Sequence, residues 1–163
     1  PAYVGRAKEV KAAEEARRAE GSLPEEVLKE VGPLQIKEGT IYGSCVVAVK
    51  PGDGSAREQA ASCQRVLGGI ANIAKEYATK RYRSNLINWG MLPFVADKLN
   101  FKVGDYIYIE NIDELIRNGA EEIPAKHLSG KSVKDITLRV GGLTDDEKNI
   151  ILKGCLINFN AAK

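Results

Sequence analysis

The order of apolar and helix-forming segments in the middle of the chain constrains its fold more than any other feature. Three short apolar runs, at 44–49, 70–74 and 91–95, are separated by helix-forming segments at 55–67 and 77–89. Strands joined by helical crossovers pair in parallel, because the crossover returns the chain to the same end of the sheet. We therefore expect an α/β domain with a mixed sheet, in which helices flank parallel core strands and the run at 44–49 is a buried strand.

Beyond residue 100 the pattern changes to one of alternating strands. Apolar and polar residues alternate over 105–110 and 136–140, which is the period of a half-buried strand, and a short helical turn is predicted over 113–118. Thr144 and Glu147 have the spacing of a capping box, which predicts the start of a last helix. These elements extend the same domain towards the end of the chain.

Residues 1–40 differ from the rest in composition. The stretch 5–20 is rich in Ala, Glu, Lys and Arg, which favour helix, and a second helix is predicted from Ser22 to about residue 31. The apolar face of this helical pair is thin. We therefore interpret residues 1–40 as a helical appendage or connector and residues 41–163 as the folded domain, with a partner-binding helix as the alternative for the first segment.

The composition of the 163 residues argues against several classes of protein. The sequence has no run of about 18 apolar residues, so it predicts no membrane span, and it shows no signal-peptide pattern. We therefore expect a cytoplasmic protein. A net charge of +2 and an aromatic share of 6% do not favour a nucleic-acid surface. We predict no metal site within the chain, because the one histidine, His127, is expected in a solvated polar loop and the three cysteines are widely spaced: Cys45, Cys63 and Cys155.

The glycine-rich loop 52–55, Gly-Asp-Gly-Ser, carries the most informative chemistry because it leads from an apolar strand into a helix. Backbone N–H groups at a helix start lack helical partners and lie at the positive end of the dipole, so they bind anions. Ser55 stands at this point, and Arg57 supplies a guanidinium that can hold a carboxylate by two hydrogen bonds. Ser55 with Glu58 also fits an ordinary capping box, which is the competing interpretation. A serine-hydrolase triad is not indicated, since His127 is the only imidazole.

A longer ordered pattern carries a resemblance to a known family. Residues 52–61 read Gly-Asp-Gly-Ser-Ala-Arg-Glu-Gln-Ala-Ala, which resembles the Gly-x-Gly-Ser-Ser-Arg-Glu-His-Ala-Ala signature of the swivel domain of the aconitase superfamily. The motifs at 65–69, 73–78 and 85–93 then follow the order and spacing of that family. The resemblance covers roughly residues 42–160, and the ordered set is more specific than any one motif.

This resemblance implies a swivel-type β/β/α domain and a role for the glycine-rich loop. By analogy, Ser55 as an alkoxide removes the proton α to a carboxylate, and Gly54, Ser55, Ala56 and Arg57 bind the substrate. The implied reaction is the reversible dehydration of a hydroxy di- or tricarboxylic acid at a [4Fe–4S] cluster held by other domains. This sequence departs from the signature at Ala56, where the family has a second serine, and at Gln59, where it has a histidine.

Three functions are compatible with this sequence. The first is the C-terminal swivel region of an aconitase-like hydratase, cut from a longer protein, inactive alone and dependent on the domains that carry the cluster. The second is the small subunit of an isopropylmalate isomerase or homoaconitase, which works with a large subunit. The third is a module that binds a small anion at the Gly54 loop and catalyses nothing.

Overall fold

The computed structural model describes Ala12 and residues 40–41, 43–130 and 132–162. The predicted appendage lies almost entirely outside this range, so its separation from the domain at residue 41 stays a prediction. In the part of the chain that the structure describes, no helix is long and apolar enough to cross a bilayer.

The first half of the fold is a parallel unit, as the order of segments predicts. Strand β1 (Ser44–Ala48) leads to helix α1 (Arg57–Val66), strand β2 (Gly69–Ala74), helix α2 (Lys80–Asn88) and strand β3 (Leu92–Val95). β1 pairs in parallel with β2, and β2 pairs in parallel with β3. The two crossovers therefore bring the loops that follow β1 and β2 to one end of the sheet.

The second half of the fold is antiparallel. β6 (Ser132–Arg139) pairs with β3, β5 (Glu122–Ser129) with β6, and β4 (Tyr106–Tyr108) with β5. The six strands of the described residues therefore lie in the order β1-β2-β3-β6-β5-β4. The mixed α/β sheet with flanking helices is therefore confirmed. The elements of this half and of the C-terminal region are β4 (Tyr106–Tyr108), α3 (Ile112–Arg117), β5 (Glu122–Ser129), β6 (Ser132–Arg139), α4 (Asp145–Leu152) and α5 (Leu156–Ala161).

Apolar clusters of the described residues stabilise the sheet and its helices. A larger one joins both halves, with Ile73 and Phe94 from the parallel strands packed with Ile123 and Leu138 from the antiparallel strands. A smaller one contains residues of α1, α2 and the segment before β3: Ala61, Tyr82, Leu86 and Met91. Removing such side chains from water is the main stabilising contribution to a domain of this size.

Two strands differ from the sequence-based expectation. β1 is an edge strand among the described residues, and its Val46 is 38% exposed, so the prediction that this run is buried was wrong. β5 was not predicted, because Pro124 and polar residues obscure its alternation. β4 is paired only with residues 126–128 of β5, so the outer side of β5 is unpaired at Pro124, where a proline without an N–H is tolerated.

Candidate functional site

The candidate site is the loop that connects β1 to α1, residues 49–56. Its base is fixed by backbone hydrogen bonds to the segment that follows β2. The carbonyl of Val49 accepts from the N–H groups of Lys75 (3.2 Å) and Glu76 (3.1 Å), and the carbonyl of Pro51 accepts from the N–H of Ala78 (2.9 Å). The loop is thus held against the neighbouring connection rather than projecting freely.

Gly52 is held in place by its backbone conformation and its contacts with α2. Its φ is +95°, and a Cβ at this position would lie 2.4 Å from the Tyr82 side chain, so the position requires glycine. Its carbonyl accepts hydrogen bonds from Thr79 Oγ1 (3.2 Å) and from Arg57 Nε (3.1 Å). The loop therefore packs closely on the start of α2.

Gly54 differs from Gly52 in its surroundings. A Cβ at Gly54 would meet no atom within 4 Å, and its backbone is not in the left-handed region. Neither the backbone conformation nor packing against the described residues demands glycine there. The open space is room in which another molecule can approach the loop.

Ser55 does not cap the helix. α1 begins at Arg57 with Ala56 as its N-cap residue, and no side chain of the cap residue hydrogen-bonds to the helix start. The capping box predicted as the competing interpretation of Ser55 and Glu58 is therefore wrong. Ser55 is exposed, and its hydroxyl has no hydrogen-bond partner within the described part of the chain. A hydroxyl at a helix N-terminus that is not used structurally is available for chemistry.

Arg57 is half-buried and partly occupied by the loop itself. Its Nε donates to the carbonyl of Gly52 (3.1 Å) and its Nη2 to the carbonyl of Asp53 (3.4 Å). Nη1 has no partner among the residues that the structure describes. These contacts fix the direction of the guanidinium and leave one amino group for an incoming carboxylate.

Glu58 is bound to α2 instead of to its own helix start. Trp89 Nε1 donates to Glu58 Oε1 at 2.6 Å. With the Asn85 amide oriented to satisfy both partners, its nitrogen donates to Glu58 Oε2 (3.2 Å) and its oxygen accepts from the Glu58 N–H (3.1 Å). Sequence reasoning did not identify this cluster, because Asn85 and Trp89 contribute from another helix.

The helix start also has the electrostatic character expected of an anion site. The first regular helical hydrogen bond is donated by the N–H of Ala60 to the carbonyl of Ala56 (3.0 Å). The N–H groups before it have no preceding turn to bond, and together with the dipole they make this end positive. Gly54, Ser55, Ala56 and Arg57, the predicted site residues, are thus consecutive at the exposed start of α1.

One concavity of the described residues lies elsewhere. A groove of about 690 Å³ runs beside α3 and is lined by residues of β4, β5 and β6, among them Lys126 and Asp135. Those two side chains pair with each other at 2.6 Å. The Ser55 loop does not line this groove, and residues 53–56 of the loop are exposed.

His127 lies in a different place from the one predicted. It is on β5 and only 9% exposed, with Nε2 2.7 Å from Asp105 Oδ2 and its ring edge-on to Phe101. The prediction of a solvated loop histidine was wrong because β5 was missed. Hydrogen bonds from Ser129, His127 and the Lys102 N–H lower the pKa of Asp105 to about 2. This cluster fastens the segment before β4 to β5, in the antiparallel half of the sheet.

The described residues contain no group of three His, Cys, Asp or Glu side chains arranged to hold a metal ion. Cys45 and Cys63 are exposed free thiols, and Cys155 is half-buried. An iron–sulfur cluster needs several cysteine thiolates around one centre. This part of the chain therefore does not fit the cluster that the sequence resemblance implies for the complete enzyme.

The fold and the loop define an α/β domain with an exposed helix start at the end of a parallel strand unit. The family model of the aconitase C-terminal domain matches residues 9–99. The chain therefore belongs to the aconitase C-terminal domain family, and the resemblance seen in the sequence is confirmed.

The relatives of this chain fall into two kinds. The methanogen homoaconitase small subunit of Methanocaldococcus jannaschii is 35% identical over 127 residues, which are 78% of this chain and 65% of that protein. A protein of Emericella nidulans named as a mitochondrial aconitate hydratase is 33% identical over 112 residues, 66% of this chain but 14% of that protein. A protein of Aspergillus fumigatus with the same name is 31% identical over 117 residues, again 14% of its length. The chain thus matches under two thirds of the small subunit and a small part of each hydratase.

Proposed function

We propose that this chain is the C-terminal swivel domain of an aconitase-like hydratase and that Ser55 is its catalytic base. The observation that carries the proposal is the free, exposed hydroxyl of Ser55 at a helix start that it does not cap. Membership of the aconitase C-terminal domain family supports the reaction class, a reversible dehydration of a hydroxy di- or tricarboxylic acid.

The proposed step is the removal of a proton α to a carboxylate. The Ser55 alkoxide forms a bond to this proton, the C–H bond breaks, and its electron pair is delocalised into the adjacent carboxylate. An alkoxide is costly in water near neutral pH, so the base needs hydrogen-bond donors and exclusion of solvent. The N–H groups and the dipole of the α1 start supply the first requirement, and closure against another domain supplies the second.

Arg57, Gly54 and Ala56 are assigned to substrate binding. The Nη1 amino group of Arg57 donates to a substrate carboxylate, while its bonds to the carbonyls of Gly52 and Asp53 hold the guanidinium in place. Gly54 leaves space for the substrate to approach the backbone. At Ala56 the side-chain hydroxyl of the family signature is missing, so only the backbone N–H contributes.

The remaining chemistry belongs to other parts of the enzyme. The resemblance assigns departure of the substrate hydroxyl to a [4Fe–4S] cluster, and the described residues do not supply its ligands. We therefore assign no step of that departure to this chain, and we expect it to be inactive without the domains or the large subunit that hold the cluster. A cytoplasmic location remains a prediction, and two relatives are named as mitochondrial.

Ser55→Ala in the assembled enzyme tests the proposal. We expect turnover at saturating substrate to fall by about 10²–10⁴-fold, the usual contribution of a general base, with little change in KM. Stability should change by less than about 0.5 kcal/mol, because Ser55 is exposed and caps nothing. Ser62→Ala is the control on the same helix, since Ser62 is half-buried on α1 and its hydroxyl donates to the carbonyl of Gln59 at 3.1 Å. Normal turnover of Ser55→Ala would contradict the proposal.

The second candidate is a small subunit that works with a separate large subunit. The similarity to a homoaconitase small subunit favours it, because that relative is covered over 65% of its length. Mixing the purified chain with a cluster-bearing homoaconitase large subunit distinguishes a small subunit from a domain of one longer chain. A stable stoichiometric complex with activity would support the small subunit, and no complex formation would support a domain of one longer chain. A non-catalytic anion-binding module would bind a hydroxy acid alone without either partner.

A further inference from the structure

The start of α1 lacks a cap of its own, although it must keep a fixed geometry for any chemistry at Ser55. Its N-cap residue is Ala56, which has no side-chain oxygen. Uncapped helix starts are usually less stable, because their first N–H groups are satisfied only by solvent. A group from outside α1 is therefore needed to hold this turn.

Asn85 occupies the position of the missing cap. Its amide oxygen accepts from the N–H of Glu58 at 3.1 Å, and its nitrogen donates to the Glu58 carboxylate at 3.2 Å. Trp89 is one helical turn further along, and its Nε1 donates to the other carboxylate oxygen at 2.6 Å. Residues four apart lie on one face of a helical segment, so Asn85 and Trp89 hold Glu58 from the same side.

The reactive segment lies between two anchors, both contributed by the same region. At one end, Thr79 Oγ1 donates to the carbonyl of Gly52 at 3.2 Å. At the other end, Asn85 and Trp89 bind Glu58. The five residues 53–57 span these anchors, so small shifts of α2 relative to α1 move the serine hydroxyl.

We propose that Asn85 and Trp89 are positioning residues that cap α1 from the neighbouring helix and so leave the Ser55 hydroxyl free for proton transfer. The inference rests on the proposed function of Ser55 and extends it to the residues that orient this base. A cap supplied by Ser55 itself would use its hydroxyl as an acceptor and direct it towards the helix. Because the cap comes from α2, the Ser55 hydroxyl is not needed to stabilise the start of α1 and can take part in proton transfer.

Two measurements test the positioning role. The first is amide hydrogen exchange of the Glu58 N–H in the chain, which we expect to become about 2- to 30-fold faster in Asn85→Ala, equivalent to the loss of an N-cap. The second is steady-state kinetics of the assembled enzyme, where kcat should fall about 10- to 100-fold with KM little changed, as misplacement of a reacting group predicts. Ser84→Ala is the matched control, because its hydroxyl is exposed on α2 and donates only to the carbonyl of Lys80.

Exchanging the amide and the carboxylate between positions 85 and 58 should restore the contact between the two helices. A variant that is merely less stable would not recover in this way. Asn85→Asp alone places a second carboxylate against that of Glu58. Glu58→Gln alone places its new NH2 group against the NH2 group of Asn85. Each single variant should therefore lower kcat. In the double variant Asn85→Asp/Glu58→Gln, the introduced amide accepts from Trp89 and donates to the introduced carboxylate, which still accepts from the backbone N–H of position 58. We expect the double variant to recover slow exchange and most of the lost kcat.

The outcomes separate this inference from the function on which it rests. If Ser55→Ala abolishes turnover while Asn85→Ala keeps normal kcat and slow exchange, the positioning role is wrong and the serine base stands. Failure of the double variant to recover would also overturn the positioning role. If Ser55→Ala retains turnover, the proposed function is wrong, and the role of Asn85 in catalysis fails with it.

Discussion

The parallel half and the antiparallel half of the sheet use their polar residues differently. In the parallel half, the β1–α1 loop exposes Ser55 and is held by hydrogen bonds from α2 and the segment before it. In the antiparallel half, Asp105 and His127 are directed at each other, with side chains 9% and 11% exposed. The first region leaves the Ser55 hydroxyl exposed, whereas in the second region the polar side chains bond to each other.

The difference shows how one small domain can combine a firm scaffold with an exposed site. The larger apolar cluster joins inner strands of both halves, and its members Ile73, Ile123 and Leu138 are at most 1% exposed. β1, which leads into the site, is an edge strand among the described residues, and its valines are about one-third exposed or more. We infer that most of the packing energy comes from the inner strands of both halves, whereas β1 and the loop after it carry the candidate site.

The largest expected effect tests this division of packing. Ile123→Ala should lower the free energy of unfolding by about 2–5 kcal/mol, because a fully buried side chain is lost and a cavity remains. Val46→Ala on β1, at 38% exposure, should cost at most about 1 kcal/mol. Urea unfolding of both variants measures the two values. Equal losses would mean that β1 is packed as firmly as β5 and that the comparison is wrong.

An intermediate effect is expected at the two glycines of the loop. Gly52→Ala should cost about 1–3 kcal/mol, since the left-handed backbone disfavours a side chain and its Cβ would meet Tyr82 at 2.4 Å. Gly54→Ala should change stability by less than about 0.5 kcal/mol, because no atom lies within 4 Å of the added carbon. Thermal unfolding compares them, and turnover of the assembled enzyme then shows whether Gly54→Ala obstructs the substrate. Similar stability losses at both positions would contradict the open surface at Gly54.

The smallest expected effect is a pH dependence in the antiparallel half. The folded pKa of Asp105 is lowered from 3.8 to about 2, first by Ser129 and then by His127 and the Lys102 N–H. The ionised carboxylate therefore contributes stability that is fully present above the unfolded pKa and is lost as the pH falls from about 5 towards 2.

Asp105→Asn tests this contribution. The variant should be less stable than the wild type near neutral pH, and the difference should shrink as the pH falls through that window. Urea titrations at several pH values between 5 and 3 measure it. A difference that stays constant over this window would show that the Asp105 charge does not stabilise the segment before β4.

Some of the site could be predicted because its signals are local. Gly52 and Gly54 before a helix-forming segment predicted the loop between β1 and α1, and the roles of Ser55 and Arg57 beside it stay predictions. The cap could not be predicted in the same way. Ser55 and Glu58 have the spacing of a capping box, but Asn85 and Trp89 compete for Glu58 from a helix about 30 residues away.

The sequence by itself determined the alternation of strands and helices, the parallel pairing of the first three strands and the family to which the chain belongs. These depend on short-range periodicity, on glycine positions and on an ordered set of motifs. Only the tertiary structure decided that β1 lies at the edge, that β5 passes through Pro124, that His127 is buried against Asp105, and that α1 is capped from α2. Each of these depends on contacts between distant segments, and local residue patterns do not specify which segments meet.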